Sequence, residues 1–254
     1  MSILQRLIQA GKLRLKSNKV QINSPFIAQF GYFASIELAR LECLTGDFTS
    51  SLAALSSIKL YDRSELFTYL PLCHFNVFYH TGVCYLMLRN FTSAIEVFSE
   101  IILHVSRILK PGASATLRAG LQQQLTRMLD KALALTAIAS FLTPNNNLDD
   151  QVKEAVESKF LEKLQKMKNI ESNPKTFSEL FDFNAPKFIS PFVPDYNVHV
   201  NMKQDAANQI SSVFITEVEQ YHNFHKLRSF LSLYATIDVA KMARFNDTTE
   251  IDLI

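Results

Sequence analysis

Glycine is scarce, six residues in 254, and tryptophan is absent. So little glycine argues against Gly-rich phosphate-binding loops and against an all-β fold, whose many tight turns need it. The three cysteines, Cys43, Cys73 and Cys84, are an odd number set in apolar stretches. They read as reduced core thiols in a reducing compartment rather than as a disulfide framework. No apolar run is long enough to span a bilayer, since the longest, 75–88, is interrupted by Asn76 and His80. No secretory signal is evident, so a soluble, cytoplasmic protein is expected. Acid is missing from the amino-terminal end: Arg6, Lys12, Arg14, Lys16 and Lys19 all come before Glu37, the first carboxylate.

What is present suits a folded chain with a large core, 48% hydrophobic and 20% charged. The formal net charge of +2 is too small to announce a nucleic-acid binder. Helical period dominates. Phe30, Phe33, Ala34, Leu38, Leu41 and Leu44 recur at steps of three and four, and Phe48, Leu52, Leu55 and Ile58 follow after Gly46-Asp47. Pro71 opens a segment to 88 that is apolar on almost every face and must be covered on more than one side. A stripe from Phe91 to Ile108 ends at Pro111-Gly112, and a regular seam runs Leu121, Leu125, Met128, Ala132, Leu135, Ala139, Leu142. Val152, Val156, Phe160 and Leu164 mark the next helix. Residues 169–204 hold four prolines and little period, which predicts mostly extended chain with a short helix at 176–182. Helices are expected again over 206–224, 227–234 and 239–245, and from Asp247, which stands three residues before Glu250 as in a capping box.

Two of these helical pairs are related by a shift of 43 residues, which carries Gly46-Asp47-Phe48 onto Arg89-Asn90-Phe91. The second pair has the tetratricopeptide pattern of small and large residues at Gly82, Tyr85, Ala94 and Phe98. Small residues let paired helices approach, and the large ones fill the space beside them. The first pair keeps the pattern loosely with Ala39, Leu52 and Leu55. The fold expected is therefore all-α, a tetratricopeptide-like helical-repeat solenoid with broad outward faces and no enclosed cleft.

Catalytic motifs are missing: there is no P-loop, dinucleotide fingerprint, zinc-finger spacing or nucleophile elbow. His222 and His225 have a spacing that could place two metal ligands on one helix face, but no further ligand is near in sequence, and two solvated residues are the simpler reading. Cys73-His74, His80 and Cys84 offer a thiol and a base, though in the most apolar helix, where buried thiols are inert. Neither a metal nor a cofactor is expected, and the chain reads as a non-enzyme. The acid-free opening segment fits a first helix with solvated lysines best. A basic surface touching RNA phosphates through Arg6, Lys12, Arg14, Lys16 and Lys19, or a mitochondrial presequence, would share its composition.

Four strings go beyond periodicity: GYFASIELARLECLTGDF (31–48), VCYLMLRNFTSAIEVFSEIILHV (83–105), APKFISPFVPDYNVH (185–199) and LRSFLSLYATIDVAKMARF (227–245). In that order they make the chain resemble the subunit L family of the eukaryotic translation initiation factor three complex. The resemblance implies a PCI domain, in which helical repeats lead into a winged helix. It also implies a non-catalytic subunit that assembles with other initiation-factor subunits, binds the small ribosomal subunit and helps recruit messenger RNA. The chain would then be a fragment, ending where that winged helix has barely begun and shorter than the family at its amino-terminal side. Asp238 and Arg244 stand where the family pattern tends to Pro and Gly. PCI subunits of the proteasome lid or signalosome type share the architecture but not the 185–199 string.

The expected organisation is an amphipathic helix and linker over 1–29, repeats over 30–168, a Pro-containing strap over 169–204, and a helical end over 205–254 leading into a truncated winged helix. Within the strap, Phe188, Ile189, Phe192 and Val193 lie between prolines. They are candidates either for docking a partner or for anchoring the strap on its own helices.

Overall fold

The computed structural model of the chain describes residues 2–16, 25–110, 118–143, 148–168, 173–191, 206–218, 220, 233–234 and 236–245. Among the described residues there is no strand. The fold is the all-α helical-repeat solenoid that the periodicity predicts, of the PCI type that the resemblance implies. Two compact units divide the chain, Met1–Ser211 and Ser212–Ile254.

In the first unit, α1 (Ser2–Lys16) packs along α2 (Pro25–Thr45). They cross at two glycines: a Cβ on Gly31 would sit 3.1 Å from the Gly11 Cα and from the Leu7 carbonyl oxygen. Only hydrogen side chains let the two backbones come this close. Helix α2 begins at Pro25, five residues ahead of the predicted start, with Pro in its first turn, where its missing N–H is harmless.

Helix α3 (Phe48–Ala54) is short, and Leu55 and Ile58 are buried just beyond its end. A connection containing a 3₁₀ turn, Leu66–Tyr69, leads to α4 (Pro71–Met87). Helix α4 is covered by α2, α3, α5, α6 and the 3₁₀ turn. That explains why its sequence is apolar all round: from His74 to Cys84 every residue except Asn76 is buried. Helix α5 (Phe91–Ile108) buries its stripe Phe91, Ala94, Ile95, Phe98, Ile101, Ile102 and Val105.

The 43-residue shift is realised in three dimensions. Gly46 and Arg89 both adopt positive φ, 88° and 61°. Each turn then closes with the same pair of backbone bonds: Gly46 to Cys43 and Asp47 to Glu42 in the first, Arg89 to Leu86 and Asn90 to Tyr85 in the second. Asp47 and Asn90 cap the following helices by accepting from Ser50 N–H at 3.0 Å and Ser93 N–H at 3.2 Å. In the second pair, a Cβ on Gly82 would lie 2.4 Å from the Phe98 ring, so Gly82 is small because Phe98 fills that space. Ala94 is fully buried beside them, and Tyr85 is half-buried. The shift carries Gly82, Ala94 and Phe98 onto Ala39, Ser51 and Leu55. Ser51, not the half-buried Leu52, is therefore the small interior residue of the first pair. It is 1% exposed, and its hydroxyl donates to the Ala39 carbonyl at 2.7 Å.

Helix α6 (Ala119–Leu142) is buried on every side over residues 132–139. Four alanines there let α4, α5, α7 and α8 all approach. Helix α7 (Asp150–Lys168) buries only Val152, Val156 and Met167. Helix α8 (Asn173–Asn184) covers the short helix predicted within 169–204, and 185–191 beyond it are non-helical. It is longer than the predicted 176–182, and Phe177, Leu180 and Phe181 are core residues. Pro174 does not break it because it falls in the first turn. Residues 206–218 form α9, of which Ser211 in the first unit donates to the Asp182 carboxylate.

In the second unit, α10 (Val239–Phe245) buries Met242 and Ala243. The Asp238 carbonyl accepts from Met242 N–H at the helix entry. The Lys241 ammonium lies over the rings of Tyr234 and Phe245, at 5.4 and 5.9 Å from their centroids.

Candidate interaction surface

The side chains with potential chemistry are used in packing. Cys43 and Cys84 are fully buried where α2 meets α4. The Cys84 thiol donates to Ser51 Oγ at 3.3 Å, and the Cys43 thiol lies 3.8 Å from the His80 carbonyl oxygen. A hydrogen bond with Cys84 and then burial hold the Cys43 thiol protonated, and burial pushes Cys73 up as well. No cysteine sulfur hydrogen-bonds a histidine ring. His80 Nδ1–H donates instead to the Asn76 carbonyl at 2.7 Å. Burial lowers the His80 pKa to about 4. His74 is lowered to about 4 as well, by burial and then by His104, whose ring centroid is 4.3 Å away. No group of three potential metal ligands comes together among the described residues. His222 and His225 lie outside them. Among the described residues no helix is long and apolar enough to cross a membrane.

The strap residues divide. Phe188 is 3% exposed, stacked on Phe181 at 6.4 Å and edge-on to Phe48 at 6.3 Å. Ile189 N–H donates to the Leu44 carbonyl at 2.9 Å. Just before them, the Tyr79 hydroxyl donates to the Asn184 carbonyl. The strap from 185 to 191 therefore ties α8 to α2 and α3, and the end of α8 itself is bonded to α4. The Phe188 side chain is occupied within its own chain, which is the anchoring alternative. Phe192 and Val193 lie outside the described residues. Of the basic positions, Arg6 is exposed on α1. Lys12, Arg14 and Lys16 belong to the same helix with side chains outside the described set, and Lys19 is outside it altogether.

What the first unit presents outward is a set of shallow grooves between helices. One of about 170 Å³ lies between α2 and α4, lined by Arg40, Cys73 and His80 among others. Another of about 320 Å³ lies between the 59–70 connection and α5, with His74, Arg63 and Arg107 on its walls. A groove of about 420 Å³ lies between α4 and α6, lined by Leu72, Phe75, Asn76, Tyr79, Gln124, Arg127, Met128 and Lys131. The sequence reading missed this last groove. Met128 belongs to the α6 seam by its spacing, but it is only half-buried, at the groove wall. The signal was present as two cations bracketing a seam residue, opposite a helix with no acidic residue at all.

Packed interior helices and an exterior of open grooves make the first unit a helical-repeat fold. Comparison with known proteins places it more closely. The family described as RNA polymerase I-associated factor PAF67 matches residues 2–254, and the chain belongs to that family. The chain is 34% identical over 221 residues to Eukaryotic translation initiation factor 3 subunit L of Homo sapiens and of Bos taurus, covering 87% of this chain and 38% of each relative. The subunit L of Nematostella vectensis is 32% identical over 227 residues, 89% of this chain and 42% of the relative. The chain thus spans about four tenths of the length of these relatives.

Proposed function

We propose that this chain is part of a non-catalytic scaffold subunit of a translation initiation factor complex. It acts in the cytoplasm by holding other initiation-factor subunits, and it supports recruitment of messenger RNA to the small ribosomal subunit. The observation that carries this reading is the identity to subunit L along 87% of the chain. The structure is compatible with it: Cys43, Cys84, His74 and His80 are buried, and the first unit carries interhelical grooves suited to side chains of other proteins. RNA contact through the basic amino-terminal segment belongs to the same reading as a secondary, salt-dependent interaction.

Affinity purification of the full-length parent followed by mass spectrometry tests the reading. Co-purifying initiation-factor subunits are expected. Recovery of proteasome-lid or signalosome subunits, or of RNA polymerase I subunits, would assign the chain to another assembly.

A further inference from the structure

The α4–α6 groove combines an apolar floor with uncompensated positive charge. Leu72 of α4 and Met128 of α6 are half-buried at its walls. Arg127 and Lys131 sit on the same α6 wall, one turn apart. Among the described residues no carboxylate lines the groove, and α4 contains none. Asp130, between the two cations in sequence, is engaged elsewhere by Lys159 of α7. Among the described residues Arg127, Lys131 and Lys187 have no ion-pair partner. Lys131 is partly buried, and burial and then the like charge of Lys187 hold its pKa below the usual lysine value. Cations gathered at the border of an apolar floor, with no anion supplied by the described residues, are complementary to an apolar segment that brings carboxylates with it.

We propose that this groove docks an acidic amphipathic helix of a partner protein, whose apolar side chains enter between Leu72 and Met128 while its carboxylates meet Arg127 and Lys131. A protein helix fits better than RNA because the groove's aromatic rings are not free for base stacking. Phe75 is 1% and Tyr79 5% exposed, the two are stacked on each other at 5.5 Å, and the Tyr79 hydroxyl is bonded to Asn184. What remains open is aliphatic surface with a cationic border, which suits the helix-in-groove mode of recognition.

The inference rests on the assembly reading in supplying that assembly with a partner surface, and its test separates the two. A fluorescein-labelled synthetic helix of about five turns, with leucines on one face and glutamates along its borders, is titrated against the chain by fluorescence anisotropy. The chain should bind this peptide in a salt-sensitive manner. The double variant Arg127→Glu/Lys131→Glu should bind about tenfold or more weakly while keeping a cooperative thermal melt and the wild-type helical content, since Arg127 is exposed and Lys131 only partly buried. Lys187→Glu should give a smaller loss. Equal binding by wild type and double variant, or no binding by the wild type, would overturn the proposal. So would preference for the same peptide with lysines in place of glutamates or for oligouridylate, or a dimer that the double variant dissolves. None of those results touches co-purification of the parent with initiation-factor subunits. Conversely, failure of that co-purification would overturn the assembly reading while leaving the groove's peptide affinity intact.

Discussion

The two helical pairs of the repeat, α2–α3 and α4–α5, share one turn and solve one packing problem with different side chains. Ala39, Ser51 and Leu55 meet in the first pair, and Gly82, Ala94 and Phe98 in the second. A larger side chain on one helix is matched by the loss of a methyl group on the other. The comparison teaches that the pattern of small and large positions is a volume constraint shared across the pair rather than a set of fixed residues. The pairs also differ in ionisable content: α4 and α5 bury His74 and His80 and half-bury His104, whereas residues 25–58 contain no histidine.

The largest break in the comparison comes from Phe98→Ala. Emptying a fully buried ring site costs about 3–5 kcal/mol, measured by urea unfolding. Acid is next, and it should act on one pair only. The folded pKa values of His74 and His80 are lowered to about 4 from an ordinary 6.5. Their burial as neutral rings therefore contributes stability that is fully present above about pH 6.5 and is lost as the pH falls toward 4. For His80 the full effect is roughly 3 kcal/mol. Hydrogen exchange followed between pH 7 and 4.5 should show α4 and α5 loosening before α2 and α3. Uniform loosening would contradict the assignment.

Gly82→Ala sharpens the volume argument. Alone it drives a methyl group into the Phe98 ring and destabilises by about 1–3 kcal/mol. With Phe98→Leu it recreates the first pair's combination, so the double variant should be more stable than the sum of the single effects, as a double-mutant cycle would show. The smallest effect runs the other way. Arg89→Gly relieves a non-glycine residue at positive φ, as Gly46 does in the first pair, and should raise stability by up to about 1 kcal/mol in a thermal melt.

Most of this architecture was legible in the residues. The α5 stripe, the α6 seam and the 43-residue shift all appear as spacing, because helix burial imposes a period on the sequence. The strap was less legible. Four prolines between 169 and 204 suggested extended chain, but Pro174 falls in the first turn of α8 and breaks nothing. Leu52 stands for the small interior position in the loose match of the first pair, but the residue in register is Ser51. Only the hydrogen bond to Ala39 shows why Ser51 can be buried there. The α4–α6 groove was hidden for a different reason. Met128 keeps the seam's spacing whether or not a neighbouring helix covers it, and periodicity along one helix carries no information about where its neighbour stops.

Hydrogen exchange of the parent protein, free and in its purified assembly, tests most directly whether the outside of the repeats does the work. Binding should add protection along the outward segments of α4 and α6 that border the groove, around Leu72 and Met128, while the Cys43–Cys84 interior exchanges as before. An assembly that forms with no new protection anywhere on these helices would contradict the account.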